Sequence, residues 1–168
     1  MKRLLLPLLA ALALPTAVLA GKIYTPYFKV LSDAFSDEKY MVIAFPSNEK
    51  KDTYLQIYCW PDNKYKRRFR GRLTMHQVRD DIGVRLRWDK EEPESQTWNS
   101  NGELDELYLG RGSFENTRMY IPKFRKHSKL TLQYRTYIDG THTVTFDLDP
   151  IKPLFAQAED EGCVWEDK

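Results

Sequence analysis

Apolar and polar residues alternate along most of the chain from residue 39 onward, the period expected of β-strands with one buried face. This alternation predicts strands at 39–46, 53–60, 66–75 and 82–89. Two further strand pairs flank the turn-forming dipeptides Asn101-Gly102 and Asp139-Gly140, at 94–100 with 103–110 and at 129–138 with 141–149. Hairpins recurring at this spacing predict an all-β fold, an antiparallel β-sandwich.

Two segments have helical rather than strand periodicity. In the first, 117–127, Met119, Ile121 and Phe124 fall near one face, and we expect Pro122 in the first turn. The second, at about 150–161, begins with Asp149-Pro150 and ends before Gly162. The pattern therefore predicts a sandwich with a short helix in one connection and a second helix at the C-terminus.

Residues 1–20 have the order of parts typical of a secretory signal peptide. Lys2 and Arg3 precede an apolar stretch that ends in Val18-Leu19-Ala20. A membrane anchor is the alternative, but the apolar run is short and holds two prolines. We therefore expect a secreted or periplasmic protein with one domain at 21–168 and no integral membrane segment once the signal is removed.

Loss of the signal peptide changes the charge of the protein. The chain has 26 Lys and Arg against 24 Asp and Glu, and removing Lys2 and Arg3 leaves 24 of each sign. A neutral mature chain is not expected to bind polyanions over its whole surface, so any basic site must be local.

Cys59 and Cys163 are the only cysteines in the sequence. An isolated pair in an oxidising compartment usually forms a disulfide. A bond between them would fasten the C-terminal helix to the strand at 53–60.

The basic stretch "KYKRRFRGRL" at 64–73 separates into two faces when it is placed on a strand. Phe69, Leu73 and Met75 share one face, and the arginines share the other. The strand at 82–89 repeats the scheme, so a hairpin between these strands would place five arginines on one face: Arg68, Arg70, Arg72, Arg85 and Arg87. Solvent and neighbouring acids could balance their charge, or an anionic ligand or protein partner could bind there.

Nucleic acid is the less favoured anionic partner. Phe69 alternates with the arginines and so lies on the opposite face, where it cannot stack on a base that they hold. We expect no nucleic-acid partner and instead a protein partner in the cell envelope.

The sequence offers little support for catalysis. His76, His127 and His142 lie far apart, and we expect no metal and no cofactor. Glu91, Glu92 and Glu94 cluster as a hydrolase pair could, but a polar loop is the simpler interpretation. Core packing is likewise the preferred interpretation of the tryptophans, with Trp60 on an outer face and Trp165 near the second cysteine.

From residue 84 onward the order of features resembles a known exported module. The chain runs "VRLRWD", "TWNSNG", "MYIPKF", "LTLQYRTY" and then "TVTFDLDPIKPLFAQAEDEGCVW". This order resembles the C-terminal β-sandwich of VasI/TssQ-type proteins associated with type VI secretion. The matching positions are Cys59, Arg87-Trp88-Asp89, Trp98, Ser100, Phe146, Leu154, Cys163 and Trp165.

The resemblance covers about half the chain, which lacks the Cys-rich N-terminal segment of VasI itself. It implies an accessory or interaction module without catalytic residues. We therefore expect a non-enzymatic envelope protein that binds a partner or anionic surface through the arginines, with a small anionic-ligand or glycan-binding module as the alternative and a hydrolase as a weaker one. The sequence predicts no oligomeric state.

Overall fold

The structure is a computed structural model that describes residues 25–35, 37–49, 52–61, 68–74, 81–101, 103, 106–110, 114–136 and 140–165. Within these ranges, the side chains of residues 68–71, 74, 81 and 114–116 are not described. The predicted signal peptide at 1–20 and His76 lie outside the described residues.

Two antiparallel sheets form the fold, as the alternation predicted. The five-stranded sheet has the order β1-β2-β3-β4-β7, with β1 (Tyr27–Ser32), β2 (Lys39–Pro46), β3 (Tyr54–Trp60), β4 (Arg68–Thr74) and β7 (Glu106–Tyr108). The four-stranded sheet has the order β6-β5-β8-β9, with β5 (Asp81–Trp88), β6 (Glu94–Asn99), β8 (Lys129–Thr136) and β9 (Gly140–Asp147).

The inner faces of the two sheets share one core. On β2 and β3 the odd-numbered residues belong to the core cluster, as in Ile43 and Ile57, whereas on β5 the even-numbered ones do, as in Leu86. On β2 the alternate residues Val42 and Ala44 are buried as well, outside this cluster. Each sheet thus turns its apolar side inward and its alternate positions outward, the arrangement that a sandwich requires. The all-β sandwich prediction is confirmed.

Two helices complete the core. In α1 (Phe114–Lys126), the ring of Phe124 is 0% exposed and packs edge-on against Phe45 of β2 and Trp88 of β5, with centroid distances of 5.9 and 5.4 Å. A short 3₁₀ turn (Asp149–Ile151) leads into α2 (Lys152–Asp160), whose Phe155 stacks on Phe124 at 6.4 Å. Phe124 therefore joins both sheets and the C-terminal helix.

The Cys59–Cys163 disulfide is present, with Cα atoms 6.2 Å apart. It links β3 to the segment just after α2, so the prediction that a disulfide ties down the C-terminal helix is confirmed. Gly162, with φ of +102°, ends this helix as expected, because glycine adopts that conformation without a Cβ clash.

One predicted hairpin is wrong and a second is formed only in part. β4 does not pair with β5; it pairs with β3 and β7, and the chain changes sheet between 74 and 81. β6 and β7 lie in different sheets, but an antiparallel bridge joins Ser100 to Leu107, and Asn101 N–H donates to the Glu106 carbonyl across a loop longer than the predicted two-residue turn. The alternation defines which residues face the core, but it is the same whether neighbouring strands share a sheet or face each other across the core. The β8–β9 hairpin is confirmed.

Two smaller differences concern element bounds. α1 begins at Phe114, earlier than expected, so Pro122 lies inside the helix and not in its first turn. β1 was not predicted at all. All but one of its six residues are exposed. It therefore lacks the alternation of buried apolar and exposed polar residues by which the other strands were recognised.

Candidate functional site

The five arginines proposed as one binding surface lie on two different sheets. Arg68, Arg70 and Arg72 belong to β4 in the five-stranded sheet, and Arg85 and Arg87 belong to β5 in the four-stranded sheet. Because both strands turn their apolar residues into the shared core, their arginine positions fall on opposite outer sides of the sandwich. The prediction of a single five-arginine face is wrong, since it depended on the β4–β5 hairpin.

Arg72 is largely held by its own neighbours. Its guanidinium forms an ion pair with Glu106 of β7, donates from Nε to Gln56 Oε1 on β3, and lies 4.8 Å from the centroid of the Tyr58 ring. Tyr58 OH donates to the same Gln56 oxygen at 3.0 Å. For this arginine, internal pairing accounts for much of the charge that a ligand could otherwise neutralise.

Arg70 and Arg68 occupy ladder positions directly opposite two aromatic residues. In the β3–β4 register Tyr58 pairs with Arg70 and Trp60 with Arg68. Residues directly opposite in an antiparallel ladder share a face of the sheet. The aromatic neighbours of these arginine positions thus come from the adjacent strand and not from Phe69 of their own strand.

Three aromatic rings cluster on this outer face. Tyr40, Tyr58 and Trp60 are each half-buried, their centroids are 5.7 to 6.3 Å apart, and their planes differ by 18° to 28°. We call this surface the aromatic–arginine face, meaning these three rings and the positions of Arg68, Arg70 and Arg72. The expectation that Trp60 lies on an outer face is confirmed.

Tyr40 and Tyr58 were missed as candidate site residues. The signal was present in "TYLQIYCW", because its even positions hold Tyr54, Tyr58 and Trp60 while its odd positions hold the core residues. What the sequence could not provide was the pairing of β3 with β4, which places these rings beside arginines.

The outer face of the four-stranded sheet has a different chemistry. Arg85 and Arg87 are both exposed, and their ladder partners are Ser95, Gln133 and Thr131. Among the residues that the structure describes, neither arginine has an ion pair or a ring contact. Short polar neighbours leave these side chains in water, as is usual for a solvated sheet face.

The glutamates considered for hydrolysis lie near a cavity of about 640 Å³ between β6 and α1. Glu94, Gln96, Tyr120 and Lys123 line it, with Glu94 ion-paired to Lys123 at 2.6 Å. Glu91 and Glu92 are exposed and do not line the cavity. Within the described part of the chain, the cavity therefore has one carboxylate, whereas two-carboxylate hydrolysis needs a pair.

The polar groups of this cavity form one hydrogen-bonded network. Gln96 Oε1 accepts hydrogen bonds from Trp98 Nε1 at 2.9 Å and from Tyr120 OH, and Gln96 Nε2 donates to Glu94 at 3.3 Å. Burial raises the pKa of Tyr120, against the opposing effect of its hydrogen bonds to Gln96 and Trp98, so the phenol stays protonated at neutral pH. The hydrogen-bonded network therefore fixes α1 against β6.

A second polar cluster joins the end of β5 to the end of α1. His127 is 5% exposed, and its Nδ1 lies 2.9 Å from Asp89 Oδ2. The other Asp89 oxygen accepts the N–H groups of Ser128 and Lys129 at 3.1 and 2.8 Å. Burial acts to raise the pKa of Asp89, but these hydrogen bonds and the charge of His127 outweigh it and lower that pKa. These hydrogen bonds give the cluster a structural role, because they hold the α1–β8 connection against the end of β5.

The buried tryptophans and His142 pack within the fold and do not form a site. Trp88, Trp98 and Trp165 are at most 2% exposed, and Trp165 Nε1 donates to the carbonyl of Phe155 at 3.2 Å, which supports the core interpretation of these rings. His142 packs on Tyr134 and contacts Thr136 within the β8–β9 hairpin. No group of three His, Cys, Asp or Glu suited to a metal ion occurs among the described residues.

None of the helices in the described ranges is both long and apolar enough to cross a membrane. Comparison of the chain with protein-family models, curated proteins and solved structures returns no match. The resemblance to VasI/TssQ-type proteins therefore stays a hypothesis that rests on the order of features in the sequence.

Proposed function

We propose that the chain is an exported, non-enzymatic interaction protein of the cell envelope or periplasm, and that it binds an acidic partner protein through the aromatic–arginine face. Export is inferred from residues 1–20 and from the sequence pattern there. The disulfide supports it, because such bonds persist in oxidising compartments.

One observation carries the choice of face. The rings of Tyr40, Tyr58 and Trp60 lie beside a row of three arginine positions on the five-stranded sheet. Tyr, Trp and Arg are the residue types that most often dominate the binding energy of protein interfaces. Arginine also favours partners that present carboxylates, because its guanidinium binds them through paired hydrogen bonds. An acidic protein surface therefore fits this face best.

Because the arginines are divided between two sheets, the pair on β5 provides a matched control for the pair on β4. We propose a quantitative pull-down from envelope extract that compares the wild type with two double variants, Arg68→Ser/Arg70→Ser on β4 and Arg85→Ser/Arg87→Ser on β5. Both variants remove the same charge, so a general electrostatic effect would weaken capture equally. The proposal predicts loss of the partner with the β4 variant alone; equal capture by both variants would overturn it.

A second candidate function is binding of an anionic carbohydrate, and the cluster of near-parallel rings favours it, because sugar rings stack on Tyr and Trp. A thermal-shift comparison of a polyuronate with a neutral polysaccharide tests this candidate. Stabilisation by the polyuronate that disappears in Trp60→Ala would favour it over a protein partner. The absence of any shift would exclude it.

Export and family membership have their own tests. N-terminal sequencing of the protein recovered from the periplasm or medium is expected to start at Gly21, and recovery only from the cytoplasm with Met1 or Lys2 first would refute export. If the resemblance to VasI/TssQ-type accessory modules is correct, we expect the gene to lie beside genes for a secretion system.

A further inference from the structure

The edge strand β1 is unusually open. Among its residues Tyr27, Val30 and Leu31 are 38%, 41% and 38% exposed, and Phe35 in the turn that follows is 102% exposed. Natural sheets usually protect such edges, because their unpaired backbone groups and apolar side chains form a template for another strand.

β1 differs from the other sheet edges in its exposed apolar side chains. β7 has only three residues. On β9 the loop before β3 caps Thr145, since Asn48 N–H donates to the Thr145 carbonyl at 2.8 Å and Glu49 accepts the Thr145 N–H at 2.6 Å. Helix α2 contacts β1, yet Tyr27, Val30 and Leu31 are three of the five large apolar side chains that are exposed in the described ranges. Within these ranges β1 is therefore the edge with the most apolar surface left to bury.

The hydrogen bonding of the β1–β2 hairpin shows which backbone groups reach that edge. Asp33 N–H donates to the Glu38 carbonyl at 2.9 Å. Hydrogen-bonded pairs recur at every second residue of an antiparallel ladder, so Leu31, Lys29 and Tyr27 direct their backbone groups toward β2. Phe28, Val30 and Ser32 direct theirs toward the open edge.

We propose that β1 of one chain pairs antiparallel with β1 of a second copy about a two-fold axis at Val30, which joins two five-stranded sheets into one. In this register Val30 faces Val30, and Phe28 of each copy faces Ser32 of the other. These are the residues with outward-directed backbone groups, and together they form about six hydrogen bonds across the interface.

Charge selects this register over its neighbour. If the outer faces of both copies stay on the same side of the joined sheet, even-numbered residues of β1 can lie opposite only even-numbered residues, and odd-numbered residues opposite only odd-numbered ones. A two-fold axis at Lys29 would place two lysines directly opposite, which is repulsive. With the axis at Val30, Lys29 instead faces Leu31, and its Nζ already lies 5.1 Å from the ring centroid of Tyr27 on its own strand. A two-fold axis at Leu31 would place Lys29 opposite Asp33, but it would also set Phe28 against Ala34, which lies in the turn after β1, so only about four of the six hydrogen bonds could form. The axis at Val30 therefore gives the most hydrogen bonds with no like charges opposed.

The dimer would also place both aromatic–arginine faces on one side. A two-fold axis perpendicular to the sheet maps each outer face onto the same side, and five strand spacings separate the two copies of β3, about 24 Å. This inference goes beyond the proposed function, because each copy keeps a complete face of its own. It adds bivalent binding, with a gain in avidity for partners that carry two acidic sites.

Sedimentation equilibrium of the mature chain over a series of concentrations tests the proposal, with Val30→Lys as the disrupting variant. Met119→Lys is the matched control, because Met119 is 73% exposed on α1 and the same charge is added there. We expect reversible dimers of the wild type and of the control, and a dissociation constant for Val30→Lys raised by roughly tenfold or more. A monomeric wild type, or equal dimerisation of all three proteins, would overturn the proposal.

Cysteine cross-linking tests the register independently of any loss of fold. Opposed residues in a hydrogen-bonded pair lie about 5.5 Å apart, within reach of a disulfide. Val30→Cys is therefore expected to form a covalent dimer under mild oxidation, and Lys29→Cys is not. The reverse result would refute the register, and cross-linking of neither would refute the interface. A monomeric Val30→Lys protein should still bind a partner through one face, so failure of the dimer and failure of the proposed function are distinguishable.

Discussion

Removing the disulfide should destabilise the protein by a large and calculable amount. Cys59 and Cys163 are separated by 104 residues, so the bond closes a loop of 105 residues counted with both ends. Chain-entropy reasoning gives about 4.7 kcal/mol for a loop of this length, through restriction of the unfolded state. Because both cysteines are 1% exposed, alanine is the preferred replacement; serine would bury a hydroxyl.

Urea denaturation of the oxidised wild type, the reduced wild type and Cys59→Ala/Cys163→Ala measures this effect. We expect the free energy of unfolding to fall by about 3–5 kcal/mol in both altered proteins, with a slightly larger m-value because the unfolded chain expands. The reduced wild type separates the loss of the cross-link from the loss of two buried sulfur atoms. A decrease below about 1 kcal/mol would refute the argument that the bond acts by closing a long loop.

Three further predictions concern the core, the cavity network and the Asp89 cluster. Phe124→Ala should cost about 3–5 kcal/mol of unfolding free energy in urea denaturation, because its ring packs against both sheets and α2. Gln96→Leu should cost about 2 kcal/mol, since it removes the acceptor for Trp98 and Tyr120. The matched control Gln133→Leu, on the half-exposed outer face, should stay within about 0.5 kcal/mol of wild type, and equal effects would contradict the network. The pKa of Asp89 is lower in the folded protein than its usual value of 3.8. The contribution of Asp89 to the free energy of unfolding is therefore complete above pH 3.8 and is lost as the pH falls through the lower pKa of the folded state. Asp89→Asn, which tolerates the φ of +47° at this position, should therefore reduce the acid-induced loss of thermal stability, and an unchanged pH profile would exclude Asp89 as a cause.

The fold could be predicted from the sequence wherever one face of a strand is buried. The bounds 39–46 of β2 were predicted to the residue, and the β8–β9 hairpin followed from Asp139-Gly140 and the alternation around it. β1 escaped prediction, because an exposed edge strand need not alternate. The local pattern of apolar and polar residues thus predicts which residues enter the core, and it predicts nothing where a strand has no buried side.

The site could be predicted only in part, for a different physical reason. Alternation correctly divided the basic stretch into core and outer positions, as buried Leu73 beside half-buried Arg72 shows. Pairing between strands is a long-range property, and neither the separation of β4 from β5 nor the contact of β4 with the rings of β3 is encoded in either strand alone. The sequence therefore contained the residues of the aromatic–arginine face without showing that they meet.

Site-specific photo-cross-linking in living cells tests most directly whether the aromatic–arginine face is the binding surface. A benzoylphenylalanine at position 58 keeps an aromatic ring on that face, and one at position 133 places the same group on the outer face of the four-stranded sheet. We expect ultraviolet light to produce a covalent adduct with a partner from position 58 and none from position 133. An adduct from position 133 alone, or from neither position, would contradict the assignment of this face.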